Sequence, residues 1–190
     1  MKTLVIHPDD RSTDFLKPIY NNLPNTTVLT ENVSPYALKK AIAEHDQIIM
    51  MGHGSPYGLF NVSSMGHSFF TIGREHVKLL RDKKNIFIWC NADQFVKQYN
   101  LPGLFTGMFI SEVAEANYCR VIAEQKQVDE SNDLFAELLG EQLVKCTTDY
   151  EAIYFAIEEE YGRLAAVNAV AKYNWDRWYI NTSVTSGLAL

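Results

Sequence analysis

The sequence predicts a single-domain α/β protein, a three-layer sandwich with a mostly parallel central sheet. Segments typical of strands and of helices alternate through the first half of the chain, and such alternation builds an open parallel sheet with helices on both faces. The segment 47–51 is almost entirely apolar, as expected for a central strand that is covered on both faces. A chain of 190 residues is long enough for one domain with a substantial core, which we place at residues 1–190.

The individual elements follow from local patterns. Strands are predicted at 2–7, 26–30, 47–51, 85–90 and 104–111, and helices at 12–22, 35–45, 73–82, from about 112, 131–144 and 149–161. The segments 58–62 and 69–72 predict a small hairpin with 63–68 as its loop. Ser or Asp residues lie where they would cap several helices, as Ser34 does before Pro35. A last helix would carry an aromatic stripe facing the core, formed by Tyr173, Trp175, Trp178 and Tyr179.

Composition excludes several function classes. The net charge is −6 and neither Lys nor Arg forms a cluster, which argues against a nucleic-acid partner or an anionic membrane surface. The apolar runs are far shorter than a membrane span. The first apolar stretch is too short for a signal peptide, and an odd, sparse set of cysteines does not form a disulfide framework. We therefore expect a cytoplasmic protein with Cys90, Cys119 and Cys146 reduced, and no cofactor is implied.

Two of the predicted strands end abruptly at a reactive residue. The strand at 47–51 leads into Gly52-His53-Gly54-Ser55, and the strand at 85–90 ends at Cys90. Because the carboxyl ends of parallel strands meet at one edge of a sheet, we expect His53 and Cys90 to lie together there, with His7 and Ser111 on the same edge. A thiol beside an imidazole is the pair that hydrolysis by a cysteine nucleophile requires.

The segment from Gly52 to about Glu112 resembles the catalytic core of caspase-like cysteine peptidases, closest to the gingipain and clostripain branch. That family places its catalytic His in a strand-end motif often written Gly-His-Gly-Ser, as here at 52–55. Its nucleophile ends the next parallel strand and is followed by a short turn and an aromatic residue, as in Cys90-Asn91-Ala92-Asp93-Gln94-Phe95. One departure is Trp89, where the family usually has Ala. A bulky ring at this position would reshape or close the site unless its neighbours accommodate it.

The resemblance implies a caspase-like sheet and a cysteine endopeptidase acting on protein or peptide substrates. Cys90 would form the acyl-enzyme, His53 would transfer the protons, and the backbone N–H groups of Gly54 and Cys90 would form the oxyanion hole. In the gingipain and clostripain branch, an acidic side chain near the end of the first strand commonly selects a basic P1 residue. The candidates for that role here are Asp9, Asp10 and Asp14, and the candidates for further pocket walls are Ser111 and Glu112. Capping of the following helix explains the acidic residues equally well.

Two other functions stay open. The segment His7-Pro8-Asp9-Asp10 also resembles the metal motif of zinc-dependent deacetylases of N-acetyl sugars, in which His7 and Asp10 would bind zinc and Asp9 would act as base. That family has Glu where this chain has Arg11. No third ligand is evident, since His45, His67 and His76 lie in unrelated contexts, and two ligands make a poor zinc site. The third hypothesis is a caspase-like scaffold without activity, closed by Trp89, with the aromatic C-terminal stripe as its partner surface.

Overall fold

The computed structural model of the protein describes residues 1–31, 33–61, 70–145 and 148–182. The strands in these ranges are β1 (Thr3–Ile6), β2 (Thr26–Leu29), β3 (Gln47–Met51), β4 (Gly54–Ser55), β5 (Gly58–Phe60), β6 (Phe70–Ile72), β7 (Lys84–Ile88), β8 (Gly103–Thr106) and β9 (Trp178–Asn181). The α-helices are α1 (Pro18–Asn21), α2 (Pro35–Glu44), α3 (Val77–Leu80), α4 (Ala92–Tyr99), α5 (Val113–Tyr118), α6 (Gln125–Lys145), α7 (Tyr150–Ala165) and α8 (Ala169–Trp175). Short 3-10 helices at Arg11–Leu16 and Arg74–His76 precede α1 and α3.

The central sheet has six strands in the order β2-β1-β3-β7-β8-β9. The first five are mutually parallel and β9 is antiparallel to β8, which confirms the predicted α/β class with a mostly parallel sheet. The strand order reverses at β1, because β2 lies on one side of β1 and all later strands lie on the other. In folds of this kind the crevice at the carboxyl ends of the strands beside this reversal is the usual ligand site.

Each central strand contributes side chains to two hydrophobic layers, because successive side chains point to opposite faces of a sheet. In β3, Ile49 and Met51 pack with side chains of α1, α6 and α7. Ile48 and Met50 pack on the other face with side chains of α2, α3 and α4. All four are fully buried, so the sheet is the middle layer of the predicted three-layer sandwich.

Several predicted boundaries shift in the structure. The segment 12–22 begins as a 3-10 helix and becomes α-helical only at Pro18. The strand predicted at 104–111 ends at Thr106, and Ile110 beyond it is held by the Asn174 amide, which binds both its N–H and its carbonyl oxygen. Ser34 and Asp149 cap α2 and α7 as expected.

The helix predicted at 131–144 begins earlier, at Gln125. Ser131 is therefore not a cap but a buried interior residue, whose hydroxyl is hydrogen-bonded to that of Tyr161 at 2.6 Å. The hairpin predicted after β3 is present as β5 and β6, and β4 joins it as a third antiparallel strand. The predicted hairpin loop, 63–68, lies outside the described residues.

The aromatic stripe predicted for a last helix is divided between two elements. Helix α8 ends at Trp175, and Trp178 and Tyr179 lie on β9, where aromatic residues fit the pleated surface of a strand. Trp178 is 2 % exposed and packs edge-on against Phe135. One of the four side chains of the hypothetical partner surface is therefore buried in the core, and the other three are partly buried.

Of the other two cysteines, the structure describes only Cys119. Cys119 lies at the C-terminal cap position of α5 and is partly buried. Cys146 lies outside the described residues. None of the helices in the described ranges combines the length and the apolar character that a membrane span needs.

Candidate active site

A cavity of about 430 Å³ lies at the carboxyl ends of β1, β3 and β7, beside the reversal of strand order. Its described lining consists of Pro8, Asp10, His53, Gly54, Phe60, Asn61, Cys90, Met108 and Glu115. A void of about 20 Å³ adjoins it, with His53, Cys90, Phe109 and Ser111 among its lining residues. The structure thus brings the predicted thiol and imidazole to the same cavity.

His53 is positioned between the two sheets. Gly52 before it has a φ of 135°, a backbone conformation that favours glycine. The N–H of Gly52 donates to the carbonyl oxygen of Ile88, which extends the hydrogen bonds between β3 and β7 by one residue. The carbonyl oxygen of His53 accepts from the N–H of Phe60 in β5. The backbone on both sides of the imidazole is therefore fixed, while the side chain itself is 40 % exposed.

The imidazole of His53 contacts the segment that follows β1. Its Nε2 lies 2.7 Å from the hydroxyl oxygen of Ser12 and 3.9 Å from Oδ2 of Asp10. The Ser12 hydroxyl donates to Oδ1 of Asp10 at 2.7 Å, and the Ser12 N–H donates to the same oxygen at 3.0 Å. These two hydrogen bonds lower the pKa of Asp10 below its usual value.

Cys90 lies in the tight turn that joins β7 to α4. The carbonyl oxygen of Trp89 accepts from the N–H of Ala92, the first residue of the helix. Asn91 takes a left-handed conformation with φ of 66°, which Asn tolerates better than most residues, and its N–H donates to the carbonyl oxygen of Gly107. The turn therefore places Cys90 at the end of the strand and directly before the helix.

The thiol of Cys90 is held in its protonated form. It donates to the carbonyl oxygen of Phe109 at 3.5 Å, and Oε1 of Glu115 lies 3.9 Å from the sulphur. The N–H and hydroxyl of Ser111 fix the other Glu115 oxygen at 2.7 and 2.9 Å. Burial, and after it the charge of Glu115, raise the pKa of Cys90 to about 12. A nucleophilic thiolate requires the sulphur to leave this environment.

Trp89 does not block the cavity. Its ring is buried in the layer of α4, edge-on to Phe87 and Phe95 with ring centroids 5.5 and 5.7 Å away. A Cβ atom at position 54 would lie 2.3 Å from the Trp89 ring, so only Gly54 fits against it. The ring is thus accommodated by the glycine that follows His53. Trp89 lines the 20 Å³ void, but it is not among the described residues that line the 430 Å³ cavity.

The β4–β5 ladder decides which way the backbone N–H of Gly54 points. His53 and Phe60 form a hydrogen-bonded pair in the ladder of β4 and β5. Hydrogen-bonded and non-hydrogen-bonded pairs alternate in an antiparallel ladder, so the next pair, Gly54 and Leu59, is of the second kind. The N–H of Gly54 therefore faces away from β5, on a residue that lines the cavity. The oxyanion roles of the Gly54 and Cys90 N–H groups both stay predictions.

The remaining predicted site residues do not line the 430 Å³ cavity. Asp9 is exposed, and Asp14 is exposed and ion-paired with Lys17 at 2.7 Å. Glu112 is exposed at the start of α5. Ser111 lines the small void, where its side chain is occupied by Glu115. Of the three acidic candidates for substrate recognition, only Asp10 lines the cavity.

The zinc hypothesis conflicts with the surroundings of His7. Its Nδ1 is hydrogen-bonded to the hydroxyl of Tyr20 at 3.1 Å and its Nε2 to that of Thr13 at 3.0 Å. The ring is 1 % exposed, and burial lowers its pKa to about 4. Neither ring nitrogen is left to ligate a metal, and no group of three His, Cys, Asp or Glu residues converges within the described ranges.

Two functional candidates escaped the sequence analysis, Ser12 and Glu115. Each meets its partner only through the tertiary fold, at separations of 41 residues for Ser12 and His53 and 25 for Cys90 and Glu115. The local signal for Ser12 was its spacing two residues after Asp10, which is typical of a turn closed by the Asp side chain. Glu115 carried no comparable signal.

A second cavity of about 680 Å³ lies at the opposite end of the sheet, beside the first residues of β7 and β8. No Cys or His is among its described lining residues, and Lys84 there is already bound to the carbonyl oxygen of Thr148.

No protein-family model, curated protein or solved structure matches the chain. The cavity at the carboxyl ends of the strands is therefore the candidate functional site.

Proposed function

We propose that the protein is a cysteine endopeptidase in which Cys90 is the nucleophile and His53 transfers the protons. The observation that carries the proposal is the placement of both side chains on one cavity, at the carboxyl ends of the adjacent parallel strands β3 and β7. The caspase-like resemblance of the His53 and Cys90 motifs implies the same arrangement. The cavity also contains Gly54, whose N–H faces away from its own sheet.

The reaction would begin with transfer of the Cys90 thiol proton to His53. The thiolate attacks the peptide carbonyl carbon, and the developing oxyanion accepts from the N–H groups of Gly54 and Cys90. The carbon–nitrogen bond then breaks, and the leaving amine takes its proton from the His53 imidazolium. Water, deprotonated by His53, hydrolyses the thioester and regenerates the thiol.

The resting thiol is not yet in position for this reaction. It points to the carbonyl oxygen of Phe109 and lies beside Glu115, where its pKa is about 12. Attack therefore requires rotation of the sulphur out of this environment and into the cavity, where it meets His53. The proposed enzyme is latent until substrate or another ligand favours that rotation.

The charges around the cavity favour cationic substrate side chains. Asp10 and Glu115 contribute two carboxylates, and neither Lys nor Arg is among the described lining residues. Side chains of Arg or Lys are therefore the best electrostatic match for the P1 position. Both carboxylates already accept hydrogen bonds from Ser12 and Ser111, so the preference would come from charge more than from direct pairing.

Cleavage of short peptides with a fluorogenic group after Arg or Lys tests the proposal. We expect turnover by the wild-type protein and none by Cys90→Ala or His53→Ala. Cys119→Ala is the matched control, since it removes the neighbouring thiol at the end of α5 and should retain turnover. Cleavage by Cys90→Ala at the wild-type rate would disprove the proposal.

The environment of the thiol favours a second candidate function, peptide binding without cleavage. A thiol that is buried and hydrogen-bonded to a backbone carbonyl is unreactive. In that case the wild-type protein and Cys90→Ala would bind the same peptides with equal affinity, and neither would cleave them. Titration of both proteins with a fluorescent Arg peptide distinguishes the two functions.

A further inference from the structure

His53, Ser12 and Asp10 form a continuous hydrogen-bonded series across the point where the strand order reverses. The distance from His53 Nε2 to the Ser12 hydroxyl oxygen is 2.7 Å, and that from the hydroxyl to Oδ1 of Asp10 is also 2.7 Å. The positions of Asp10 and Ser12 are fixed by the backbone as well, because the Asp10 side chain caps the 3-10 helix Arg11–Leu16 by accepting from the Ser12 N–H. The series therefore has little freedom to rearrange.

The number of protons available decides the direction of these bonds. A serine hydroxyl has one proton, and that of Ser12 is donated to Asp10. A carboxylate is an acceptor only, and its two hydrogen bonds from Ser12 hold the pKa of Asp10 below its usual value. The Ser12 oxygen must therefore accept from His53, which places the imidazole proton on Nε2.

The same count identifies the basic nitrogen of His53. With the proton on Nε2, the lone pair of the neutral ring is on Nδ1. Nδ1 has no hydrogen-bond partner in the part of the chain that the structure describes. The ring lines the cavity and the small void together with Cys90. Nδ1 is thus the nitrogen that is free to accept the thiol proton.

We infer that Ser12 and Asp10 are positioning residues that hold His53 as its Nε2–H tautomer and so present Nδ1 to Cys90. The transfer of a proton from Cys90 to Nδ1 rests on the proposed function, whereas the tautomer of His53 follows from the hydrogen bonds alone. Asp10 thus has a positioning role in addition to the negative charge that it contributes to the cavity. The carboxylate lies 3.9 Å from Nε2, close enough to stabilise the imidazolium that forms during the reaction.

No proton needs to pass along the series. When the sulphur–hydrogen bond of Cys90 breaks, its electron pair stays on sulphur and the proton binds to Nδ1. The imidazolium then has N–H groups at both nitrogens, with Nε2–H still donated to Ser12 and the Ser12 proton still donated to Asp10. Protonation of the leaving amine from Nδ1 restores the starting tautomer.

Nitrogen NMR of the histidine side chains in the ¹⁵N-labelled protein tests the tautomer directly. At a pH where the histidines are neutral, we expect the two-bond correlations of His53, assigned with a His53→Gln variant, to show a proton on Nε2 alone. Ser12→Ala should convert this pattern to a mixture of tautomers, and Ser12→Thr, which keeps a hydroxyl, should preserve it. An unchanged pattern in Ser12→Ala would overturn the inference.

Kinetics give the second readout. Loss of the orienting hydrogen bond should lower kcat about 10- to 100-fold, with KM unchanged and rescue by Ser12→Thr. Asp10→Asn should lower kcat as well, whereas Asp14→Asn, which removes an exposed charge on the same 3-10 helix, should not. Equal kcat values for Asp10→Asn and Asp14→Asn would contradict the role of Asp10. If the tautomer is as expected but no peptide is cleaved, the positioning inference stands and the peptidase proposal fails.

Discussion

Replacing Glu115 by glutamine removes the negative charge that lies 3.9 Å from the Cys90 sulphur. At this distance two unit charges interact by about 1 kcal/mol in water and about 4 kcal/mol at an effective dielectric constant near 20. Since one pKa unit corresponds to about 1.4 kcal/mol, the pKa of Cys90 should fall by about 1 to 3 units. Burial is the larger cause of the raised pKa and is unchanged, so the pKa should stay above that of a free thiol.

The assay is the rate of alkylation by limiting iodoacetamide between pH 7 and 9, with the modified cysteine located by mass spectrometry. Below its pKa the thiolate fraction rises tenfold for each unit that the pKa falls, while the nucleophilicity of the thiolate falls about threefold. Cys90 in Glu115→Gln should therefore react about 3- to 50-fold faster than in the wild-type protein. The glutamine oxygen can still accept from Ser111, which preserves the local structure. Glu112→Gln is the matched control, because Glu112 is exposed and three residues earlier.

Equal Cys90 alkylation rates in the two glutamine variants would show that the charge of Glu115 does not raise the pKa of Cys90. A wild-type Cys90 that already reacts at neutral pH faster than Cys119 would show that the thiol is not held in its protonated form. A rate increase confined to Cys119 would show that Glu115 acts on the other thiol.

Three further predictions concern the free energy of unfolding. Gly54→Ala should lower the free energy of unfolding by about 1–3 kcal/mol, measured with urea, because its Cβ would lie 2.3 Å from the Trp89 ring; Gly54→Ala combined with Trp89→Phe should recover part of the loss, and no recovery would place the strain elsewhere. His7 is buried with its pKa lowered to about 4, so its contribution to the free energy of unfolding is present above pH 6.5 and is lost as the pH falls towards 4, because the unfolded chain binds the proton first; the loss should be about 3 kcal/mol, and the pH dependence of stability in His7→Gln should be smaller by that amount, since His76 also has a lowered pKa and keeps its own share. Tyr161→Phe should cost about 1 kcal/mol, since it leaves the buried Ser131 hydroxyl without its 2.6 Å partner, and a neutral result would contradict that pairing.

The sequence was most informative where burial alone decides the structure. The apolar segments that became β3 and β7 are covered on both faces, and their pattern admits few alternatives. Trp178 and Tyr179 were misassigned because an aromatic stripe suits a half-buried strand as well as a helix. The pairing of β9 with β8 decides between the two, and that pairing is a tertiary contact.

The residues of the candidate site that lie at strand ends could be predicted from the sequence. The groups that contact His53 and that raise the pKa of Cys90 could not. His53 and Cys90 follow directly from strand ends, which parallel pairing brings to one edge. Ser12 and Glu115 contact His53 and Cys90 across long separations in sequence, so the roles that we propose for them depend on side-chain positions that no local pattern specifies. The protonated state of Cys90 has the same origin, because burial and Glu115 together produce it.

The proposal that Cys90 is a nucleophile activated by His53 has a direct chemical test. Labelling with a biotinylated acyloxymethyl ketone that carries Arg at P1, followed by mass spectrometry of the labelled peptide, tests it most directly, because the reagent needs both a bound P1 side chain and an attacking thiolate. We expect one adduct, on Cys90, that is absent from His53→Ala and forms faster in Glu115→Gln. An adduct on Cys119 alone, an adduct on Cys90 that is undiminished in His53→Ala, or no adduct even in Glu115→Gln would contradict it.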